Sequence, residues 1–90
     1  MKSKIKINNI FRNNSISNEI ILVCTVIIGE INIGDKIKID KNLYLLILNI
    51  EKNNFYNEIN LYIDNYEVDN FNFFELIGNN FDIYPAVRSV

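Results

Sequence analysis

The sequence predicts an all-β protein: a small antiparallel β-barrel of about six strands, closed or nearly closed. Three observations lead there. β-Branched residues alternate with polar ones at period two in Lys4-Ile5-Lys6-Ile7, Lys36-Ile37-Lys38-Ile39 and Ile59-Asn60-Leu61-Tyr62-Ile63. Two further runs, Ile20 to Ile28 and Leu43 to Ile50, are apolar on both faces. Turn residues recur between these segments every ~8–12 positions, the rhythm of a barrel or sandwich. Closure is favoured because an open sheet of this hydrophobicity would expose adhesive edges.

In chain order, Lys4 to Ile7 forms the first strand, with Ile5 and Ile7 inward and the lysines outward. Asn8-Asn9 interrupts it before Ile10-Phe11-Arg12. Asn13 to Glu19 is a loop, since Asn and Ser hydrogen-bond to their own backbone. Ile20 to Ile28 follows and breaks at Gly29-Glu30; strand character resumes over Ile31-Asn32-Ile33. Gly34-Asp35 then turns the chain into Lys36 to Ile39. Asp40-Lys41-Asn42 is a tight connection to Leu43 to Ile50, read as strand despite its leucines. Leu43, Leu45 and Ile47 lie on one face, and Tyr44, Leu46, Leu48 and Ile50 on the other. Glu51 to Glu58 is a loop, and Asp64 to Asn72 holds at most a short strand around Tyr66 and Val68. Phe73 to Ile77 forms a helical turn ended by Gly78. Phe81 to Tyr84 is the last strand, and Pro85, which has no N–H for a ladder, stops it.

Ninety residues make one domain, 1–90, with a single core. No linker divides the chain, and no internal repeat is evident. A net charge of -2 argues against a strong overall phosphate-binding field, although nine Lys and Arg leave room for a local patch. The 18 Ile and 17 Asn against one Ala read as codon bias, so the asparagines carry no mechanistic weight here. The basic N-terminus runs straight into strand alternation without a signal-peptide apolar region, and Cys24 is alone. The expectation is a cytoplasmic protein without membrane association.

Four segments in order resemble domain 2 of the translational GTPases, the β-barrel after the nucleotide-binding domain of elongation factor Tu and its relatives. Ile7-Asn8-Asn9-Ile10-Phe11 is similar to that family's opening apolar-x-x-Val-Phe. Val26 to Ile39 resembles its core, Val-x-x-Gly-x-Ile/Val-x-Ile/Val-Gly-Asp-x-Val/Ile-x-Ile/Val. Ile47 to Glu51 is similar to the strand that follows, and Asn57 to Ile63 to the next segment. Cys24 and Asn57 stand where the family commonly has glycine. The chain carries no phosphate loop of the GxxxxGK(S/T) form, so no GTPase activity is implied. The resemblance implies a stand-alone barrel of this type, and a link to translation.

Candidate sites divide unevenly. Histidine is absent, which removes the commonest general base. Cys24 lies in the most apolar strand without nearby cations and reads as a core residue. Asp64, Glu67 and Asp69 cluster in sequence but fit no calcium loop, so a solvated loop is favoured. No catalytic residue, metal ligand or cofactor is expected, and Gly29, Gly34 and Asp35 are assigned as structural turns. Lys2, Lys4, Lys6, Lys36 and Lys38 are the candidate nucleic-acid contacts if their strands adjoin. Alternating lysines also guard exposed strand edges, and the acidic total charge favours that role. Phe71, Phe73 and Phe74 with Tyr62 and Tyr66 read as barrel packing rather than a base-stacking platform, because Asn and acids separate the rings. The doubly apolar strands exceed what so small an interior can hide. The functional expectation is therefore a non-catalytic module that binds a protein or ribonucleoprotein, or a second copy, through its outer strand faces. A small RNA- or single-strand-binding barrel is the alternative.

Overall fold

A computed structural model describes residues 2–12, 19–53, 57–64 and 73–86. Six strands, β1 (Ser3–Arg12), β2 (Glu19–Ile28), β3 (Lys36–Asp40), β4 (Leu43–Lys52), β5 (Glu58–Asp64) and β6 (Asn80–Tyr84), close into an antiparallel barrel of order β1-β2-β5-β4-β3-β6. A 3₁₀ turn, η1 (Phe73–Leu76), precedes β6. The predicted barrel is therefore observed, and Leu43 to Ile50 is strand throughout. Ile31 to Ile33 departs from expectation: it belongs to an irregular crossing from β2 to β3. These strands lie three places apart in the barrel, on opposite sides, so the crossing cannot extend either ladder.

The core is the inward set of the alternations: Ile5, Ile7 and Ile10 from β1, Ile20, Leu22 and Cys24 from β2, and Ile59, Leu61 and Ile63 from β5. Ile37, Leu45, Ile47 and Ile83 complete it, with Leu76 of η1 packed in. Their burial is the dominant favourable contribution, at about 1.5–3 kcal/mol for each large side chain fully buried.

An internal repeat, unseen in the sequence pattern, organises the barrel. β1-β2-β3 and β4-β5-β6 are equivalent in strand order and register, an exchange centred on the Leu22–Leu61 pair. Exchanging β1 with β4, β2 with β5 and β3 with β6 reproduces the strand order, and register follows. Leu46–Lys36, Leu45–Ile37 and Tyr44–Lys38 in β4–β3 recur as Lys6–Asn80, Ile5–Phe81 and Lys4–Asp82 in β1–β6. Each half also carries the same bulge. In β1, Ile7 faces Cys24 and Asn9 faces Val23, leaving Asn8 as the extra residue. In β4, Ile47 faces Ile63 and Asn49 faces Tyr62, leaving Leu48 extra. In both, the asparagine side-chain oxygen accepts the next N–H, from Ile10 and from Ile50, at 2.9 Å. The added residue resets the alternation. Asn8-Asn9 thus continues β1 rather than interrupting it, and Ile50 turns toward the core instead of sharing the outer face of Tyr44, Leu46 and Leu48.

The chain enters β3 and β6 through matching turns. Gly34 donates to Ile47 and Ile47 back to Asp35, both at 2.9 Å; Gly78 donates to Ile7 at 2.7 Å and Ile7 to Asn79 at 3.1 Å. Gly34 and Gly78 have φ of 94° and 87°, a region costly for a residue with a Cβ. Phe73 to Leu76 is the expected helical turn, and Gly78 lies just beyond it. Gly29, at φ 82°, ends β2 pressed against Ser3, whose hydroxyl donates to the Glu30 carbonyl (2.8 Å) and accepts its N–H (3.0 Å). Asp35 is the one buried polar side chain among the described residues. Its carboxylate accepts the N–H of Asn32 at 2.9 Å and that of Ala86 at 3.1 Å, tying the β2–β3 crossing to the segment after β6.

Candidate binding face

The predicted lysines come together, though not by direct adjacency. β6 lies between β1 and β3, and the outer positions on these three strands form one surface. Lys4 faces Asp82 across the ladder and makes an ion pair with it at 3.9 Å; both are well exposed, so it contributes at most about 1 kcal/mol. Lys36 stands opposite Tyr84, which places their side chains on the same face. Lys2 donates to the Tyr84 hydroxyl at 3.2 Å and lies 4.8 Å from its ring centre, with the Lys38 ammonium 5.6 Å from that centre. The Lys2 hydrogen bond lowers the Tyr84 hydroxyl below its ordinary value, and the same bond raises Lys2 above its own.

Closure overturns the edge-guarding reading of these lysines. β1 pairs with both β2 and β6 at Lys4 and Lys6, and β3 with both β4 and β6 at Lys36, so these lysines border no open edge. Charge is instead sorted around the barrel. β1, β6 and β3 carry Lys4, Lys6, Arg12, Lys36 and Lys38 against Asp40 and Asp82. β2, β5 and β4 carry Lys52 against Glu19, Glu51, Glu58 and Asp64. A near-neutral total conceals a basic flank and an acidic one. On the basic flank a groove of about 410 Å³, lined by Lys4, Lys38, Lys41, Asn80 and the carboxylates of Asp40 and Asp82, runs between β3 and β6.

Beside that flank β4 presents an apolar row: Tyr44, Leu46 and Leu48 are 38%, 46% and 46% exposed. Tyr44 meets Tyr84 edge-on, ring centres 5.8 Å apart, so the basic surface and the apolar row are continuous through this pair. Ile21 and Val23, on the outer face of β2, are half-buried instead. Phe11 and Tyr62 stand on either side of Ile21 across its two ladders. A second cavity, also about 410 Å³, opens at the barrel end among Val26, Ile28, Ile31, Ile50 and Ile59. Glu30, Lys52 and Glu58 lie at the same cavity.

The remaining candidates disperse or fall outside. Cys24 is fully buried, its thiol donates to the Leu22 carbonyl at 3.5 Å, and burial pushes its pKa up to about 12. At neutral pH it is a small apolar residue. Asp64 ends β5, while Glu67, Asp69, Tyr66, Val68 and Phe71 lie outside the described residues. Phe74 is exposed on η1, whereas Tyr62 sits on β5 with its hydroxyl donating to Glu51 at 3.4 Å. Among the described residues no group of three metal-ligating side chains converges, and no helix is long and apolar enough to cross a membrane. Sequence reasoning missed Tyr44, Asp82 and Tyr84 as members of the face; their outward parity was readable, but the β1-β6-β3 neighbourhood was not.

Comparison with known proteins leaves the chain alone: no family model, curated protein or solved structure matches it.

Proposed function

We propose that this barrel is a non-catalytic binding module that engages a protein or ribonucleoprotein partner through its outer surface, with the β4 row at the centre of contact. One observation carries the reading. Tyr44, Leu46 and Leu48 stand exposed on the outer face of a strand that pairs with β3 over Leu43–Leu46 and with β5 over Ile47–Lys52, and neither neighbouring strand covers that row, so a partner seated on it would remove it from water. A non-catalytic role is supported by the chemistry present: the chain has no histidine, and its single thiol stays protonated near neutrality. The resemblance to translation-factor barrels supports searching first among ribosomal and other ribonucleoprotein partners. A photo-crosslinking residue at position 46 should capture a defined partner in the source cell, and Leu48→Asn should abolish that capture while leaving the barrel folded. An identical set of products from a crosslinker at Lys52 would reject the β4 row as the contact.

A second reading, a small single-strand nucleic-acid binder, is favoured by the sorting of charge. Five cationic side chains lie on β1 and β3, the two strands that flank β6.

A further inference from the structure

We infer that Lys2, Lys36 and Lys38 form around Tyr84 a docking point for the phosphate oxyanions of single-stranded nucleic acid, contacted through its backbone and without regard to base. The inference rests on the second reading above and gives it a site.

The argument starts from convergence. The Lys2 and Lys38 ammonium groups lie 4.8 Å and 5.6 Å from the centre of one ring, and Lys36 occupies the ladder position facing it. Each ammonium has three donors, and a neutral phenol can accept from few of them. The carboxylate on the same strand, Asp82, is shared among the cations: Lys4 lies 3.9 Å from it, it lines the groove with Lys38, and its charge helps to raise Lys2, so one carboxylate serves three of the surrounding cations. Cations gathered on a neutral ring repel one another, and an oxyanion among them relieves that repulsion while accepting their free donors. The lowered Tyr84 hydroxyl pKa reports the same local positive potential.

Three features select a polymer and its backbone. Lys2, Lys4 and Lys6 stand at alternate positions of one chain, about 6.8 Å apart at each step along a strand. A repeated row of charge suits a ligand whose anions also repeat. The groove lined by Lys4, Lys38 and Lys41 provides a channel beside the cluster, with Asp40 and Asp82 keeping it from being uniformly cationic. Base stacking is not the mode of contact, since Lys2 and Lys38 already lie over the Tyr84 ring and Tyr44 abuts it edge-on.

The test is fluorescence anisotropy with a labelled mixed-sequence single-stranded RNA at low ionic strength, titrated with salt. Three neutralised phosphates predict a log–log salt slope of about −2. Lys2→Gln/Lys38→Gln should weaken binding on the order of tenfold and bring the slope to about −0.7, whereas Lys52→Gln on the acidic flank should change neither. Homopolymers of different base should bind alike. Wild-type binding that the double variant leaves unchanged, or that Lys52→Gln reduces equally, overturns the site while the second reading survives. Absence of wild-type binding removes both. If inorganic phosphate shifts the Tyr84 ring resonances but RNA does not bind, the site serves a free anion and the polymer assignment falls. Binding to anionic lipid vesicles without binding to RNA overturns it equally.

Discussion

β1 and β4 occupy opposite sides of the barrel, and they are the same strand dressed differently. Lys4-Ile5-Lys6-Ile7-Asn8-Asn9-Ile10 and Tyr44-Leu45-Leu46-Ile47-Leu48-Asn49-Ile50 share inward positions, bulge and asparagine bond. Their outward positions have nothing in common: lysine, lysine, asparagine on β1 and tyrosine, leucine, leucine on β4. Asn8 even reaches Thr25 on β2, at 2.7 Å, where its counterpart Leu48 stands exposed. Constraint at the shared positions comes from closing the barrel, which both halves must do. Divergence at the others identifies what closure does not require, and there surface chemistry is free to serve binding.

The largest test of this equivalence is in the core. Ile7→Ala and Ile47→Ala, both at fully buried sites, should each cost about 2–5 kcal/mol in denaturant unfolding, the two values agreeing within about 1 kcal/mol. A difference of several kcal/mol would break the symmetry as an energetic statement. Next comes the position where the cores differ. Cys24 in β2 corresponds to Ile63 in β5, the register placing Cys24 beside Ile7 and Ile63 beside Ile47. Its folded pKa of about 12 lies above the ordinary 9.0, so the folded state keeps a proton that the unfolded chain releases. Stability from this thiol is therefore complete below pH 9 and declines as pH rises from 9 toward 12, by about 1.4 kcal/mol per unit. Cys24→Val should flatten that decline in unfolding measurements across this range; an unchanged slope would mean other groups cause it.

A smaller effect separates the two turns. Asp35 accepts two backbone N–H groups, whereas Asn79 donates its amide to the Glu75 carbonyl at 2.9 Å. Asp35→Asn turns a donor toward one of those N–H groups in a buried site and should cost about 1–3 kcal/mol. Asn79→Asp, at an exposed site, should cost less than about 1 kcal/mol. Equal costs in thermal unfolding would show that the buried lock on Ala86 contributes nothing beyond the turn itself.

How much of this was legible follows from what period-two reasoning can carry. Strand identity, inward isoleucines and the turns at Gly29 and Gly34-Asp35 are local facts, and alternation with glycine at the corners conveys them. A bulge defeats alternation because one inserted residue inverts the parity of everything after it, so Asn8-Asn9 looked like a break and Ile50 like an outer residue. The signal was present: Ile-x-Asn-Ile occurs twice, and Glu-Ile-x-Leu twice, at Glu19 to Leu22 and Glu58 to Leu61. A codon-bias reading of asparagine concealed it, though Asn9 and Asn49 hold equivalent bonds. The basic flank was illegible for a different reason. Lys4 and Lys38 are 34 positions apart in the chain, and only a strand order with β6 between β1 and β3 brings them to one groove.

The sharpest test for function is transplanting the β1 exterior onto β4, as Tyr44→Lys, Leu46→Lys and Leu48→Asn together. β1 carries these residues on the same backbone, bulge included, but opposite Asp82 and Asn80, whereas on β4 the new lysines face Lys38 and Lys36 across the ladder. The barrel should still fold, at a cost of about 1–2 kcal/mol for the two like-charge pairs. The transplant removes three exposed apolar side chains and the Tyr44 edge from Tyr84, and sets two new cations beside Lys36 and Lys38. Crosslinking from position 46 to a protein partner should vanish, while RNA affinity should hold or rise because the basic flank widens. If the variant instead fails to fold, the β4 exterior contributes to the barrel in a way the β1 exterior does not. The two strands would then be alike in geometry but not in what holds them.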